Sequence, residues 1–103
     1  MSELKITKEN FIGEVMDSEQ PVLVDFWAPW CGSCRMLSPV ISEIAEDQEG
    51  KVKVGKVNVD EEQELAELFG IMSIPSVLVF KNGNVTAKSV GMQPKEDLER
   101  LLA

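Results

Sequence analysis

The chain has 103 residues and a formal net charge of −8, from 18 acidic residues against 10 Lys and Arg. That length supports one domain, residues 1–103, with a real core and no second domain. The acidic balance disfavours sequence-independent nucleic-acid binding, which needs Lys and Arg clusters against phosphate, and the absence of histidine excludes every His-based catalytic or metal arrangement. A hydrophobic fraction of 44% beside a charged fraction of 27% is that of an ordinary globular protein. No apolar run approaches membrane-spanning length, and the N-terminal Met-Ser-Glu-Leu-Lys lacks the apolar core of a signal peptide. A cytoplasmic setting is therefore expected, and there a close cysteine pair is for chemistry rather than for structure.

In chain order, Leu4–Ile6 predicts a short first strand. Thr7 is placed to cap a helix in which Phe11, Ile12, Val15 and Met16 form one apolar stripe. Pro21 closes a turn into a buried strand, Val22–Trp27, where Asp25 is out of place: a carboxylate amid Val24, Phe26 and Trp27 is desolvated unless something needs it. Ala28-Pro29 breaks that run. After Cys34, Leu37, Val40, Ile41, Ile44 and Ala45 recur at helical spacing to about Gln48, with Pro39 predicting a kink and Gly50 an end. A Val-rich strand, Lys51–Val59, carries Lys56 on the same face as Val52 and Val54. Asp60 and Gln63 have capping-box spacing for a helix ending near Gly70, with Leu65, Leu68 and Phe69 inward. Glu61 to Glu67 reads as a solvated face of that helix. Ile71–Pro75 is a connector to the strand Val77–Phe80, Asn82-Gly83 is a two-residue hairpin signal, and Val85–Val90 returns antiparallel up to Gly91. Pro94 opens a last helix with Leu98, Leu101 and Leu102. The order βαβαβ, then α, hairpin and α, implies an α/β fold with a parallel first half, an antiparallel edge and helices on both faces.

The chemistry concentrates between Trp30 and Cys34, read Trp-Cys-Gly-Ser-Cys. Cys31 stands where the loop after a strand meets a helix N-terminus, whose free N–H groups and positive dipole end stabilise a thiolate. Positions i and i+3 are neighbours across one helical turn, within reach of a disulfide. The alternative is half a metal site, but structural zinc takes four ligands against two cysteines here. Redox use is the favoured reading. Trp30, in the loop beside Cys31, reads as a partly exposed cover on the site, whereas Trp27 reads as core.

Joined to Val-Asp-Phe-Trp-Ala before the cysteines, Pro39, Lys56, Asn58-Val59-Asp60, Gly70-Ile71, Ile74-Pro75, Phe80 to Gly83 and Val90-Gly91, this motif resembles the thioredoxin family from Phe11 to Leu102. The resemblance implies the thioredoxin fold, a mixed central sheet, and a thiol–disulfide oxidoreductase that reduces disulfides of other proteins. It implies that Cys31 is the nucleophile that forms a mixed disulfide, which Cys34 resolves. It places Asp25 beneath the pair as the base for the proton of Cys34, with Lys56 on the adjacent strand offsetting part of the charge. It also implies a cis bond before Pro75, an extended substrate segment pairing with the backbone of Ile74, and room for that segment at Gly91. Gly32 and Ser33, between the cysteines, tune the redox potential. No bound cofactor or metal is needed, and electrons come from a partner reductase, a flavoprotein using NADPH; the chain is expected to be a monomer. Three departures from the family pattern stand out. Ser33 replaces the usual proline, Ser73 replaces a frequent glycine, and Met72 and Met92 flank the substrate surface. Ser33 raises a rival reading, a more oxidising exchange catalyst or isomerase. A second rival is a binding subunit of the same fold without turnover.

Overall fold

The computed structural model describes residues 3–103. Met1 and Ser2, the start of the stretch read as lacking a signal-peptide core, lie outside the described residues. Among the described residues five strands and three α-helices follow in the order β1 Glu3–Lys5, β2 Val22–Trp27, α1 Gly32–Asp47, β3 Lys53–Asn58, α2 Gln63–Leu68, β4 Ser76–Lys81, β5 Asn84–Val90 and α3 Lys95–Arg100. A short π-type helix, Ile12–Met16, precedes β2. The sheet order is β1-β3-β2-β4-β5, with β1, β3 and β2 parallel and β4 and β5 antiparallel to their neighbours.

β2 sits at the centre because it can be buried on both sides. Val22, Leu23, Val24 and Phe26 are all fully buried, the continuous apolar run of a covered strand. Its alternation feeds two cores. Leu23, with Val54, Val77 and Val79, meets Leu37, Ile41 and Ile44 of α1 and Leu98 of α3. Val22, Val24 and Phe26 meet Ile6, Phe11, Val15 and Leu65 on the opposite face, where the ring of Phe69 lies 5.4 Å from Phe11 and 5.2 Å from Phe80. Burying each such side chain stabilises the fold by roughly 1.5–3 kcal/mol.

Several boundaries differ from expectation. The first helix is wound with an i→i+5 bond, Asp17 N–H to the Ile12 carbonyl at 2.8 Å. That wider turn buries Phe11 and Val15 and turns Ile12 and Met16 outward, 66% and 39% exposed, so the expected single stripe splits. Thr7 does accept the Asn10 N–H, at 3.3 Å. At α2 the expected Asp60–Gln63 capping box does not form. Glu62 is the N-cap, but its carboxylate makes no capping bond and instead accepts the Lys8 N–H at 2.9 Å, while Asn58 Oδ1 takes the Asp60 N–H at 2.9 Å. Leu68, expected inward, is exposed, because a helix of six residues covers the sheet with Leu65 and the following Phe69 only. α1 is one helix with Pro39 inside it, as its apolar period implies. Trp27, expected in the core, is half-buried, packed beside the cysteines. The Asn82-Gly83 turn joins β4 to β5 as expected, with φ of 54° and 79°, and Pro94 is the N-cap of α3.

Candidate active site

The C-terminal end of β2 runs into Ala28-Pro29, and the chain re-enters helix at Gly32. Cys31 is the N-cap residue of α1, in extended geometry (φ −90°, ψ 113°), and its sulfur accepts the Cys34 N–H at 3.2 Å. A sulfur thus fills the place that a Ser or Asp oxygen takes at other helix starts. Cys31 and Cys34 are joined in a disulfide, with Cα atoms 5.2 Å apart. The spacing that made them neighbours on one turn has brought them together. The Ser33 hydroxyl lies 3.6 Å from Cys31 Sγ and the Ile74 carbonyl oxygen 3.8 Å from it. Both cysteines are buried, Cys31 at 6% and Cys34 at 3% exposure. Exposure therefore hardly distinguishes the two sulfurs, and what separates them is the set of donors around Cys31.

Ile74 is held where it is by its neighbours. The Ile74–Pro75 peptide is cis, Pro75 is buried, and its carbonyl accepts the Gly91 N–H at 2.8 Å. Gly91 has φ +90°, a conformation side chains rarely adopt, and the space where a Cβ would point is open. Trp30 is 67% exposed and donates its indole N–H to Asp60 Oδ2 at 2.9 Å. Between Trp30 and Ile74 runs an apolar groove of about 160 Å³, completed by Val59, Ala66, Ile71 and Met72. Met72 is 94% exposed and Met92 40%, so both methionines lie on the surface.

Asp25 is 1% exposed, and among the described residues neither of its carboxylate oxygens has a hydrogen-bond partner. Burial pushes its pKa up to about 7; the Lys56 ammonium pulls it back down and Glu3 adds a small upward push. Asp25 and Lys56 are register partners on the parallel strands β2 and β3, on the α1 side of the sheet. Lys56 Nζ donates to Ser38 Oγ at 3.2 Å and sits 4.8 Å above the Trp27 ring. The structure thus gathers Cys31, Cys34, Gly32, Ser33, Ile74 and Trp30 at one end of the sheet, with Asp25 and Lys56 on the covered face alongside. Two participants escaped the sequence. Asp60 read as a helix cap and instead orients Trp30, and Ser38 read as an unremarked helix position. Neither leaves a local signal, since each partner lies 18 or more residues away.

Among the described residues no helix is long and apolar enough to cross a membrane, and no group of three or more His, Cys, Asp or Glu is arranged to hold a metal ion.

The sequence profile of the thioredoxin family matches residues 2–103. The chain is 52% identical to Thioredoxin 1 of Nostoc sp. (strain PCC 7120 / SAG 25.82 / UTEX 2576) over 98 residues, covering 95% of this chain and 92% of that protein. It is 48% identical to the thioredoxins of Bacillus subtilis (strain 168) and Haemophilus influenzae (strain ATCC 51907 / DSM 11121 / KW20 / Rd), each match covering 99% of this chain and 96% of the relative. With a five-stranded mixed sheet, helices on both faces and a disulfide at the head of α1, the chain belongs to the thioredoxin family, and its Cys31–Cys34 pair is the redox-active disulfide of a thiol–disulfide oxidoreductase.

Proposed function

We propose that the protein works chiefly as a reductase of disulfides in other proteins, in the cytoplasm, recharged by a flavoprotein reductase that draws on NADPH. The Cys31 thiolate attacks a substrate sulfur, forming a mixed disulfide and releasing the other substrate sulfur as thiolate. Cys34 gives its proton to Asp25 and attacks Cys31 Sγ. The Cys31–Cys34 bond forms and the second substrate sulfur leaves with the electron pair. Lys56 offsets part of the Asp25 charge. Gly32 and Ser33 set the redox poise, and Trp30, Ile74, Pro75 and Gly91 receive an extended substrate segment. The observation that carries this reading is the Cys31 sulfur at the N-cap of α1, taking the Cys34 N–H at 3.2 Å. A group so placed is stabilised as an anion by the unpaired N–H groups and the helix dipole.

The 3.6 Å contact of Ser33 with Cys31 favours a second reading, a more oxidising exchange catalyst. The non-catalytic binding subunit finds less support, because such a subunit has no use for a joined pair of cysteines at a helix start together with a buried unpartnered acid. Cys34→Ser separates these readings. Incubated with a disulfide protein, it is expected to accumulate a mixed disulfide at Cys31 and to lose catalytic turnover; turnover at the wild-type rate overturns the exchange mechanism. Titrating the wild-type couple against glutathione then places it on the reducing or the oxidising side.

A further inference from the structure

A cleft of about 530 Å³ opens between the edge of the sheet and α1, lined by Glu3, Lys5, Trp27, Ser38, Ser42, Lys56 and Glu61 among others. Its charges are unevenly engaged. Glu3 Oε2 accepts the Ser42 hydroxyl at 2.8 Å, and Glu61 pairs with Lys5 at 3.4 Å. Among the described residues, Lys56 has no carboxylate within ion-pair distance. Its anchors are the Ser38 hydroxyl at 3.2 Å and the Trp27 ring at 4.8 Å. Ser38 follows Cys34 by four residues on α1, so the two share one helix face. A lysine carries about 2 kcal/mol of rotamer entropy, so it stays in one place only where something holds it. Without the hydroxyl, the ammonium is free to swing towards Glu3 and Glu61 in the same cleft.

We propose that Ser38 is a positioning residue for thiol–disulfide exchange: its hydroxyl fixes the Lys56 ammonium on the Trp27 ring, away from the acids of the cleft, so that a positive charge faces the Asp25 carboxyl when Cys34 passes its proton to it. This rests on the reading of Asp25 as the base. The charged groups that act on Asp25 are Lys56 from β3 and Glu3 from β1, while β4 presents Val77. Lys56 is the one cation in that set. In the step itself the Cys34 thiol loses its proton to the Asp25 carboxylate. The Cys34 thiolate displaces the substrate sulfur from Cys31, and Asp25 afterwards returns the proton to solvent. Releasing Lys56 leaves burial and Glu3 unopposed, so the carboxylate forms only at higher pH and less base is present at neutrality.

The test is the pH dependence of mixed-disulfide resolution, followed by acid-quenched single turnover with the full chain and a disulfide protein. Ser38→Ala is expected to move the acid limb of the wild-type profile upward by about half a pH unit, slowing resolution about threefold on that limb. Ser38→Thr, which restores the hydroxyl, is expected to follow wild type. A purely structural role would lower stability without moving the limb. If Asp25→Asn lacks the limb while Ser38→Ala coincides with wild type, or Ser38→Thr behaves as Ser38→Ala, the Ser38 role is overturned and the Asp25 role stands. If Asp25→Asn keeps the limb, both are overturned.

Discussion

Ser33, in contact with Cys31 Sγ, and Asp25, buried without a hydrogen-bond partner among the described residues, are the residues at which the proposed chemistry is tested most directly. The Ser33 hydroxyl lies 3.6 Å from Cys31 Sγ, whereas its N–H makes no bond to that sulfur; the backbone donor there is Cys34. A hydroxyl donated to a thiolate stabilises the reduced protein, since bonds to a charge are worth about 1.5–3 kcal/mol, and on a two-electron couple ~1.4 kcal/mol is about 30 mV. Ser33→Pro removes that donor and is expected to make the couple more reducing by some tens of millivolts in a glutathione titration; an unchanged or less reducing variant would show that the hydroxyl does not tune the site. At Asp25 the carboxyl is raised by burial to about 7, so the folded state holds its proton more tightly than the unfolded chain. Between about pH 4 and 7 the unfolded state is the more ionised, and wild-type stability falls as pH rises through that window, then levels off. Asp25→Asn escapes this loss. It is expected to exceed wild type by about 2–4 kcal/mol at pH 8 and by little at pH 3, where both carboxyls are protonated. Urea denaturation at the two pH values checks it, and equal stabilities at pH 8 would rule out the desolvated carboxylate.

At the scale of elements, β3 is pressed between β1 and β2 with Gly55 opposite Leu4 and Val24. A Cβ on Gly55 would stand 2.5 Å from Cγ1 of Ile6, which is fully buried and has no room to retreat. On backbone entropy alone alanine would be preferred in a strand by about 0.5–1 kcal/mol, so the clash decides the sign. Gly55→Ala is expected to destabilise by about 1–3 kcal/mol, read as a lower urea midpoint at unchanged slope. A midpoint at or above that of wild type would mean that β1 shifts to make room. The helices follow the same logic of packing over pattern. α2 keeps Leu65 inward but leaves Leu68 in water, and its N-terminus does without the capping box that Asp60 and Gln63 spell out.

Over the whole molecule the excess of acidic side chains makes a field that partners meet before they dock. Lys8 is already bound by Glu64 at 2.8 Å, in a cleft it shares with Glu9, Asp60, Glu61 and Glu62 close to Trp30. Attraction of this kind acts on the association rate and is screened by salt. Reduction of a basic disulfide protein is therefore expected to slow severalfold between about 20 mM and about 500 mM salt, while a small uncharged disulfide is reduced at a constant rate. A salt response of the same size for both substrates would place the effect on the chemistry rather than on docking.

The amino-acid sequence by itself determined the order of the elements, the burial of the strand Val22–Trp27, the hairpin at Asn82-Gly83 and the position of the cysteines at a helix start. All of these are local: hydrophobic period, turn chemistry and i,i+3 spacing act over a few residues. The family resemblance added the strand order and the identity of the site. Only the tertiary structure decided which competing partner each polar group takes. Asp60 was free to cap α2 or to accept the Trp30 indole, and the fold that brings residue 30 beside residue 60 chose the indole. Ser38 became the anchor of Lys56 because α1 lies across β3. The apolar stripe of the first helix split because the period names a face, whereas burial depends on how the turn is wound and on what lies beneath it.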